Sequence, residues 1–257
     1  MAKRSTKRPT KSQPFTIEGV LDWILDLRFF HSDDAIDGRV AIPFYYNAGA
    51  ENARLVLVLG ENAGGKSFFR RLVQEACRHK GNNSGPYPVR EVIYLSMEHR
   101  TGGMMGPIGA FVYGSEQRRS TGENSAHTVE GGITTASGRN HDVVVYWDEP
   151  DIGMSAACAI GVGVEIAQFV NEAPDNIKAV FVTTHSPAMV TALLKADARP
   201  HYLYLGDEMA PLSLEDWVAW QADVALHGPG ISPKQLAEAS HKRFKDIQAI
   251  LDDKGRK

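Results

Sequence analysis

An unbroken apolar run, Leu55-Val56-Leu57-Val58-Leu59, leads directly into Gly60-Glu61-Asn62-Ala63-Gly64-Gly65-Lys66-Ser67. No other stretch narrows the possible folds as far. A run with no polar interruption reads as a strand buried on both faces, the condition of a parallel strand covered by helices. The glycines permit a sharp turn, and a helical pattern follows from Phe68 to Arg78. Such a strand–turn–helix unit aims successive backbone N–H groups and the positive end of a helix at one point, which is a cradle for an anion. The octapeptide fits GxxxxGK[ST] at every position. In that pattern the lysine, here Lys66, reaches the β- and γ-phosphates of a nucleoside triphosphate, and the hydroxyl, here Ser67, ligates Mg²⁺. Gly60 to Phe68 is thus the candidate nucleotide-contacting segment.

With 257 residues and 43% hydrophobic content, the chain can bury one substantial core, and we expect a single α/β domain over residues 14–257. Residues 1–13 carry Lys3, Arg4, Lys7, Arg8 and Lys11 and no acid, within a net charge of −3. This composition predicts a disordered tail, and two uses stay open for it: a solubilising arm, or contact with nucleic-acid phosphates. No apolar segment of signal-peptide type follows the tail. Cys77 and Cys158 fall in helical patterns without metal-ligand spacing, and read as buried, reduced thiols of a cytoplasmic protein. The most apolar stretch, Ile152 to Val170, contains Gly161, Gly163 and Glu165 and reads as a buried helix, so no membrane span is predicted.

Along the chain, Ile17 to Phe30 has helical apolar spacing, and Asp33 to Tyr46 reads as a hairpin-like strand pair turning at Asp37-Gly38. Further strands are expected at Val89–Ser96, Val143–Trp147, Ala179–Thr183 and His201–Leu205. Helical patterns separate several of them, the signature of a mainly parallel sheet sandwiched by helices. Residues 207–257 close the chain with two helices, near Leu214–Leu226 and Pro233–Leu251. Residues 101–141 are crowded with glycine and are expected to be mobile.

Three further segments carry candidate chemistry. Val143 to Trp147 ends in Asp148-Glu149-Pro150. Asp148 at the strand end is placed to hold the Mg²⁺ shell opposite Ser67, and Glu149, aimed elsewhere, to polarise an attacking water. The strand after it ends in Val182-Thr183-Thr184-His185-Ser186-Pro187. His185 then lies at the carboxyl edge of the sheet, where its imidazole can donate to the γ-phosphate or the water. Arg119-Ser120-Thr121-Gly122-Glu123-Asn124 precedes the third strand, and the Ser120 hydroxyl, the Gly122 N–H and the following helix start would form an anion site.

In chain order, the phosphate loop, Ser120 to Glu123, Asp148 to Pro150 and Thr183 to Pro187 resemble the head of an ABC-type ATPase, in particular the soluble SMC, RecF and overcoming-lysogenisation-defect group. Asp151-Ile152-Gly153-Met154-Ser155 is similar to that group's D-loop. The resemblance covers about Ala41 to Leu205 and implies a homodimer that sandwiches two ATP molecules with Mg²⁺. Each would lie between Lys66, Ser67, Asp148, Glu149 and His185 of one subunit and Ser120, Thr121 and Gly122 of the other. It implies ATP hydrolysis in a switch acting on a nuclease-like partner in a DNA-related or phage-defence process. A transporter motor, or a nucleotide-binding scaffold with little turnover, are the other readings. Departures are specific: Arg119 stands where the signature has leucine, and Glu98 and His99 lie near the position of the expected Q-loop glutamine. Too few residues separate His99 from Ser120 for a full helical arm lobe. Tyr45 and Tyr46 are the aromatics available to stack on adenine, or else belong to the core.

Overall fold

The computed structural model describes residues 13–31, 40–51, 53–80, 84–96, 120–207 and 211–253. In chain order these form helix α1 (Ile17–Leu25), a 3₁₀ turn (Arg28–Phe30), strands β1 (Phe44–Asn47) and β2 (Leu55–Gly60), α2 (Lys66–Cys77), β3 (Glu91–Leu95) and α3 (Thr121–Ser137). Then come β4 (Val143–Asp148), α4 (Ala156–Glu172), β5 (Ile177–Thr183), α5 (Pro187–Lys195), β6 (His201–Leu205), α6 (Leu214–His227) and α7 (Pro233–Asp253). The strands build one sheet in the order β1-β6-β2-β5-β4-β3. Only β1 is antiparallel, to β6.

Alternation along each strand sorts the core into two layers. Leu55, Leu57 and Leu59 of β2, Val145 and Trp147 of β4, and Val180 and Val182 of β5 face α3, α4, α5 and α6. Their sequence neighbours Val56, Val58, Val144, Tyr146, Ala179 and Phe181 face α1, α2 and the end of α7. Both faces are dry, which is why these strands read as continuous apolar runs. Fully buried side chains such as Trp147 and Phe181 each contribute about 1.5–3 kcal/mol or more relative to exposure. The sheet is therefore the middle of a three-layer α/β sandwich. Helix α2 leaves β2 toward one layer and α5 leaves β5 toward the other, so the carboxyl ends of these adjacent strands flank a crevice.

Several expectations need correction. The first half of the strand pair expected over Asp33 to Tyr46, with its turn at Asp37-Gly38, lies outside the described residues; the strand that is described, β1, pairs with the distant β6. The first helix ends at Leu25 and gives way to the 3₁₀ turn, because Leu27 is extended. The apolar stretch from Ile152 starts its helix only at Ala156, capped by the Ser155 hydroxyl. Cys77 is buried but Cys158 is exposed.

The glycine-rich region is corrected in part. Residues 101–119 lie outside the described ones, but 121–137 form the regular helix α3 rather than a mobile loop. Gly132 serves packing: a Cβ there would come within 2.3 Å of Leu95 and 2.9 Å of the Trp147 indole nitrogen, whereas one on Gly131 would meet nothing within 4 Å. Among the described residues no helix is long and apolar enough to cross a membrane.

Candidate functional site

The Gly60–Ser67 loop joins β2 to α2 in the expected strand–turn–helix context. Two of its glycines are required by close backbone approach. A Cβ on Gly60 or Gly64 would fall 1.9 or 2.3 Å from the Leu205 carbonyl oxygen, and Gly60 and Gly65 hold φ of +140° and +105°. Ala63 shares this left-handed geometry, at φ +64°, and bears a Cβ. Its carbonyl accepts a hydrogen bond from Arg243 Nε of α7 at 3.3 Å. The same guanidinium donates to Ala41 O and to Asp207 Oδ2, so one arginine from the far end of the chain braces the loop.

Lys66 opens α2, whose first N–H groups have no carbonyl one turn earlier to bond within the helix. The Lys66 side chain is buried and folds back onto the loop, its Nζ donating to Glu61 O (2.7 Å) and Gly60 O (3.1 Å). Two of three ammonium donors are thereby used and one is left to face a ligand. Burial lowers its pKa to about 8 against the opposing pull of Glu149, Asp148 and Glu61. Ser67 is exposed beside it.

Asp148, the last residue of β4, is held on both oxygens. Thr183 of β5 donates to Oδ1 at 2.5 Å and Tyr94 of β3 donates to Oδ2 at 2.8 Å. Arg70, one turn after Lys66 on α2, stacks its guanidinium 4.1 Å from the Tyr94 ring centroid. Hydroxyl donors on both sides fix the carboxylate while each oxygen keeps lone pairs to spare. Among the described residues no three His, Cys, Asp or Glu side chains converge as metal ligands. A divalent ion bridging Asp148 and the Ser67 hydroxyl would fill its remaining positions with water and ligand oxygens, as suits Mg²⁺.

Glu149 turns away from its neighbour because its backbone adopts φ +53°. That left-handed conformation is costly for a non-glycine residue, and Thr183 secures it, its carbonyl and hydroxyl oxygens accepting from the Glu149 N–H at 3.0 and 3.1 Å. The turn brings Glu149 Oε1 to 3.6 Å from His185 Nε2. This approach is not an ion pair at neutral pH. Burial, reinforced by the Lys66 charge, drops the His185 pKa to about 4 and leaves the imidazole neutral. Nε2 is buried without a hydrogen-bond partner among the described residues. The topology explains the grouping: β5 lies between β2 and β4, so His185 just past its tip stands between Lys66 and the two carboxylates.

Ser120, Thr121 and Gly122 are gathered elsewhere. Ser120 caps α3 in a reciprocal box with Glu123, its hydroxyl accepting from Glu123 N (3.3 Å) and its N–H donating to Glu123 Oε2 (2.7 Å). This helix start rests on the turn after Glu149. Ser125 donates to Ile152 O at 2.8 Å, and a Cβ on Gly122 would lie 3.0 Å from Gly153 O. Tyr45 and Tyr46 are both engaged in the fold. Tyr45 donates to Leu212 O (3.1 Å), and Tyr46 stacks on His201 and hydrogen-bonds its Nδ1 (2.9 Å). Glu98, His99 and Arg119 lie outside the described residues.

Thr183, Tyr94, Arg70 and Arg243 were not singled out by sequence reasoning. Thr183 stood within a recognised segment, and its position opposite Asp148 follows once β5 pairs with β4. The other three carry no local signal, being single polar residues on elements whose partners only the fold decides.

No protein-family model matches the chain, and no curated protein matches it. Among solved structures the chain is similar to one in the "Structure of E. coli MS115-1 HORMA:CdnC:Trip13 complex", at 15% identity and a TM-score of 0.32. The match covers 74% of this chain and 58% of that one, so the chain spans less than two thirds of that neighbour's length. A likeness this loose carries no inference about fold or function.

Proposed function

We propose that the chain is an ATPase of ABC type, in which two copies close head to tail on ATP and Mg²⁺ and hydrolysis lets them separate. The observation that carries the reading is the convergence of Lys66, Asp148, Glu149 and His185, drawn from three sequence segments, at the carboxyl ends of β2, β4 and β5. Lys66 and the first turn of α2 would hold the β- and γ-phosphates, with the Gly60–Ser67 amides around them. Ser67 and Asp148 would hold Mg²⁺, which neutralises charge on the phosphate oxygens. Glu149 would accept a proton from the water whose oxygen attacks the γ-phosphorus, as the bond to the β,γ-bridging oxygen breaks and ADP leaves. Neutral His185 has one N–H to donate to the γ-phosphate or to that water.

Dimerisation is motivated by the exposed start of α3. The Ser120 N–H is already used by Glu123, so the N–H groups of Thr121 and Gly122 are the ones that a nucleotide held by a second copy would meet. The test is Glu149→Gln. It should reduce ATP turnover by about 10²–10⁴-fold, the range of a lost general base, and leave an ATP-dependent dimer detectable by light scattering. Wild-type turnover in this variant would remove Glu149 from the role of base.

A further inference from the structure

The Gly60–Ser67 loop is flanked by two backbone segments, 41–43 and 205–207. Glu61 N donates to Leu205 O at 3.2 Å, and a Cβ on Gly206 would fall 2.6 Å from Glu61 Oε1. A Cβ on Gly65 would lie 3.1 Å from Ile42 Cγ2. The two segments also bond to each other, Gly206 N donating to Pro43 O at 3.1 Å. Arg243 of α7 reaches all three pieces: Ala41 O, Asp207 Oδ2 and, in the middle of the loop, Ala63 O.

Packing alone does not call for an arginine here. Arg243, Ile247 and Ile250 lie at i, i+4 and i+7 on α7, and both isoleucines join the apolar layer beneath the helix. A leucine at 243 would continue that face, whereas a guanidinium on a side chain only 10% exposed must give up its water. Asp207 is 65% exposed, so solvent screens its pairing with Arg243. The two backbone carbonyls are what the guanidinium satisfies that no apolar side chain could. One of them belongs to Ala63, a residue with a Cβ in the left-handed region. Ala63 O shares a rigid peptide plane with Gly64 N–H. Gly64 N donates to Glu61 O at 3.1 Å, the same carbonyl that accepts from Lys66 Nζ at 2.7 Å. A short hydrogen-bonded path therefore runs from Arg243 through the Ala63–Gly64 peptide to Lys66.

We infer, on the footing that this loop binds a nucleotide, that Arg243 is a positioning residue for the phosphates and that α7 thereby regulates the nucleotide site. With Arg243 seated, the loop amides and Lys66 are held in the geometry that receives phosphate; with α7 released, the Ala63 peptide loses the bond that fixes its plane. The chain from 222 to 235 is exposed throughout, so α7 is anchored mainly by its second half, where Arg243 sits. The control acts on nucleotide affinity, because Glu149 and His185 are placed by β4 and β5 and have no bond to Arg243 among those that hold it.

The experiment is calorimetric titration of the full chain with Mg²⁺ and a non-hydrolysable β,γ-imido analogue of ATP, beside steady-state phosphate release with ATP. Arg243→Met keeps an unbranched side chain on the apolar face and removes every donor. It should weaken analogue binding about tenfold, the scale of one hydrogen bond to a charged group, and raise KM by a similar factor with kcat changed less than about threefold. Arg243→Lys should recover part of the affinity. Phe244→Ser, on the neighbouring residue that is 62% exposed, should change affinity less than about twofold and reports any general loosening of α7. Without nucleotide, amide hydrogen exchange in the peptide spanning Gly60–Ser67 should quicken in Arg243→Met while β4 keeps its protection. If Arg243→Met does not fold by circular dichroism, Arg243→Lys with Asp207→Asn carries the same test with a smaller expected loss. Wild-type affinity in the Arg243 variants, an equal loss in Phe244→Ser, or a fall in kcat with KM unchanged would overturn the inference alone. A wild-type chain that binds neither ATP nor its analogue would overturn the nucleotide reading and this inference with it.

Discussion

Asp148 is fixed by hydroxyls from two neighbouring strands, Thr183 on β5 and Tyr94 on β3, whereas Ser120 is fixed by Glu123 of its own helix. The contrast extends to their surroundings. Around Asp148, Lys66 is buried on the carbonyls of its own loop and His185 is kept neutral by burial. Around Ser120, Thr121 and Glu123 are exposed and the polar groups are satisfied locally. A cluster held from several strands is set in place before any ligand arrives. A self-capped, exposed helix start is stable without a ligand and remains accessible to a surface outside its own chain.

The comparison breaks most visibly at Lys66. Lys66→Met should cut ATP turnover by about 10²–10³-fold, as expected for removing a charge that stabilises the transferring phosphoryl group, measured as steady-state phosphate release. Wild-type turnover would detach the buried cluster from the chemistry. The pH dependence sharpens the point. With its pKa lowered to about 8, Lys66 loses its charge as pH rises through that value, so ATP affinity should fall above about pH 8 in the wild type and stay flat in the Met variant. Folding stability should move the other way. Burial of the charged form costs stability at and below pH 8, and that cost is relieved between about 8 and the unperturbed 10.5, where the unfolded chain binds the extra proton.

A smaller effect is expected from Thr183→Val. Removing one hydrogen bond to a charged group costs about 1.5–3 kcal/mol, and here it releases Asp148 Oδ1 and one brace on the strained Glu149 backbone. The Mg²⁺ concentration for half-maximal turnover should rise roughly tenfold; an unchanged Mg²⁺ requirement would mean that Asp148 needs no such positioning. The smallest effect belongs to the other region. Ser120→Ala should cost about 1 kcal/mol as a lost helix cap and lower the melting temperature by about 2–4 °C. Its functional loss should appear in the protein-concentration dependence of turnover and not in ATP affinity. A fall in ATP affinity at concentrations where the protein is monomeric would place Ser120 in its own chain's site.

How far the sequence could be read depended on whether the information was local. The β2–loop–α2 unit was legible because apolar runs, glycines and helix pattern are all contiguous. Strands β2 and β4 were legible because burial on both faces leaves continuous apolar runs, and β3, β5 and β6 because single polar residues interrupt them little. Helix α3 was not legible because the reason for its glycine is distant in the chain: Gly132 lets the helix approach Leu95 and Trp147, a neighbourhood that does not exist until β3 and β4 pair. For the same reason the pairing of β1 with β6 was not legible, since the two strands lie more than 150 residues apart in the chain.

By itself, then, the amino-acid order determined which residue types stand at the ends of which strands: Lys66 and Ser67 after β2, Asp148 and Glu149 at β4, His185 after β5. These follow from short-range pattern, because strand, turn and helix each impose their own period on neighbouring residues. What only the tertiary structure decided was their spatial relation. Inserting β5 between β2 and β4 sets His185 between the lysine and the carboxylates, and a left-handed backbone at Glu149 turns it to His185. Burial then lowers the pKa values of both Lys66 and His185, because desolvation is a property of the packed sheet and not of any segment of the chain.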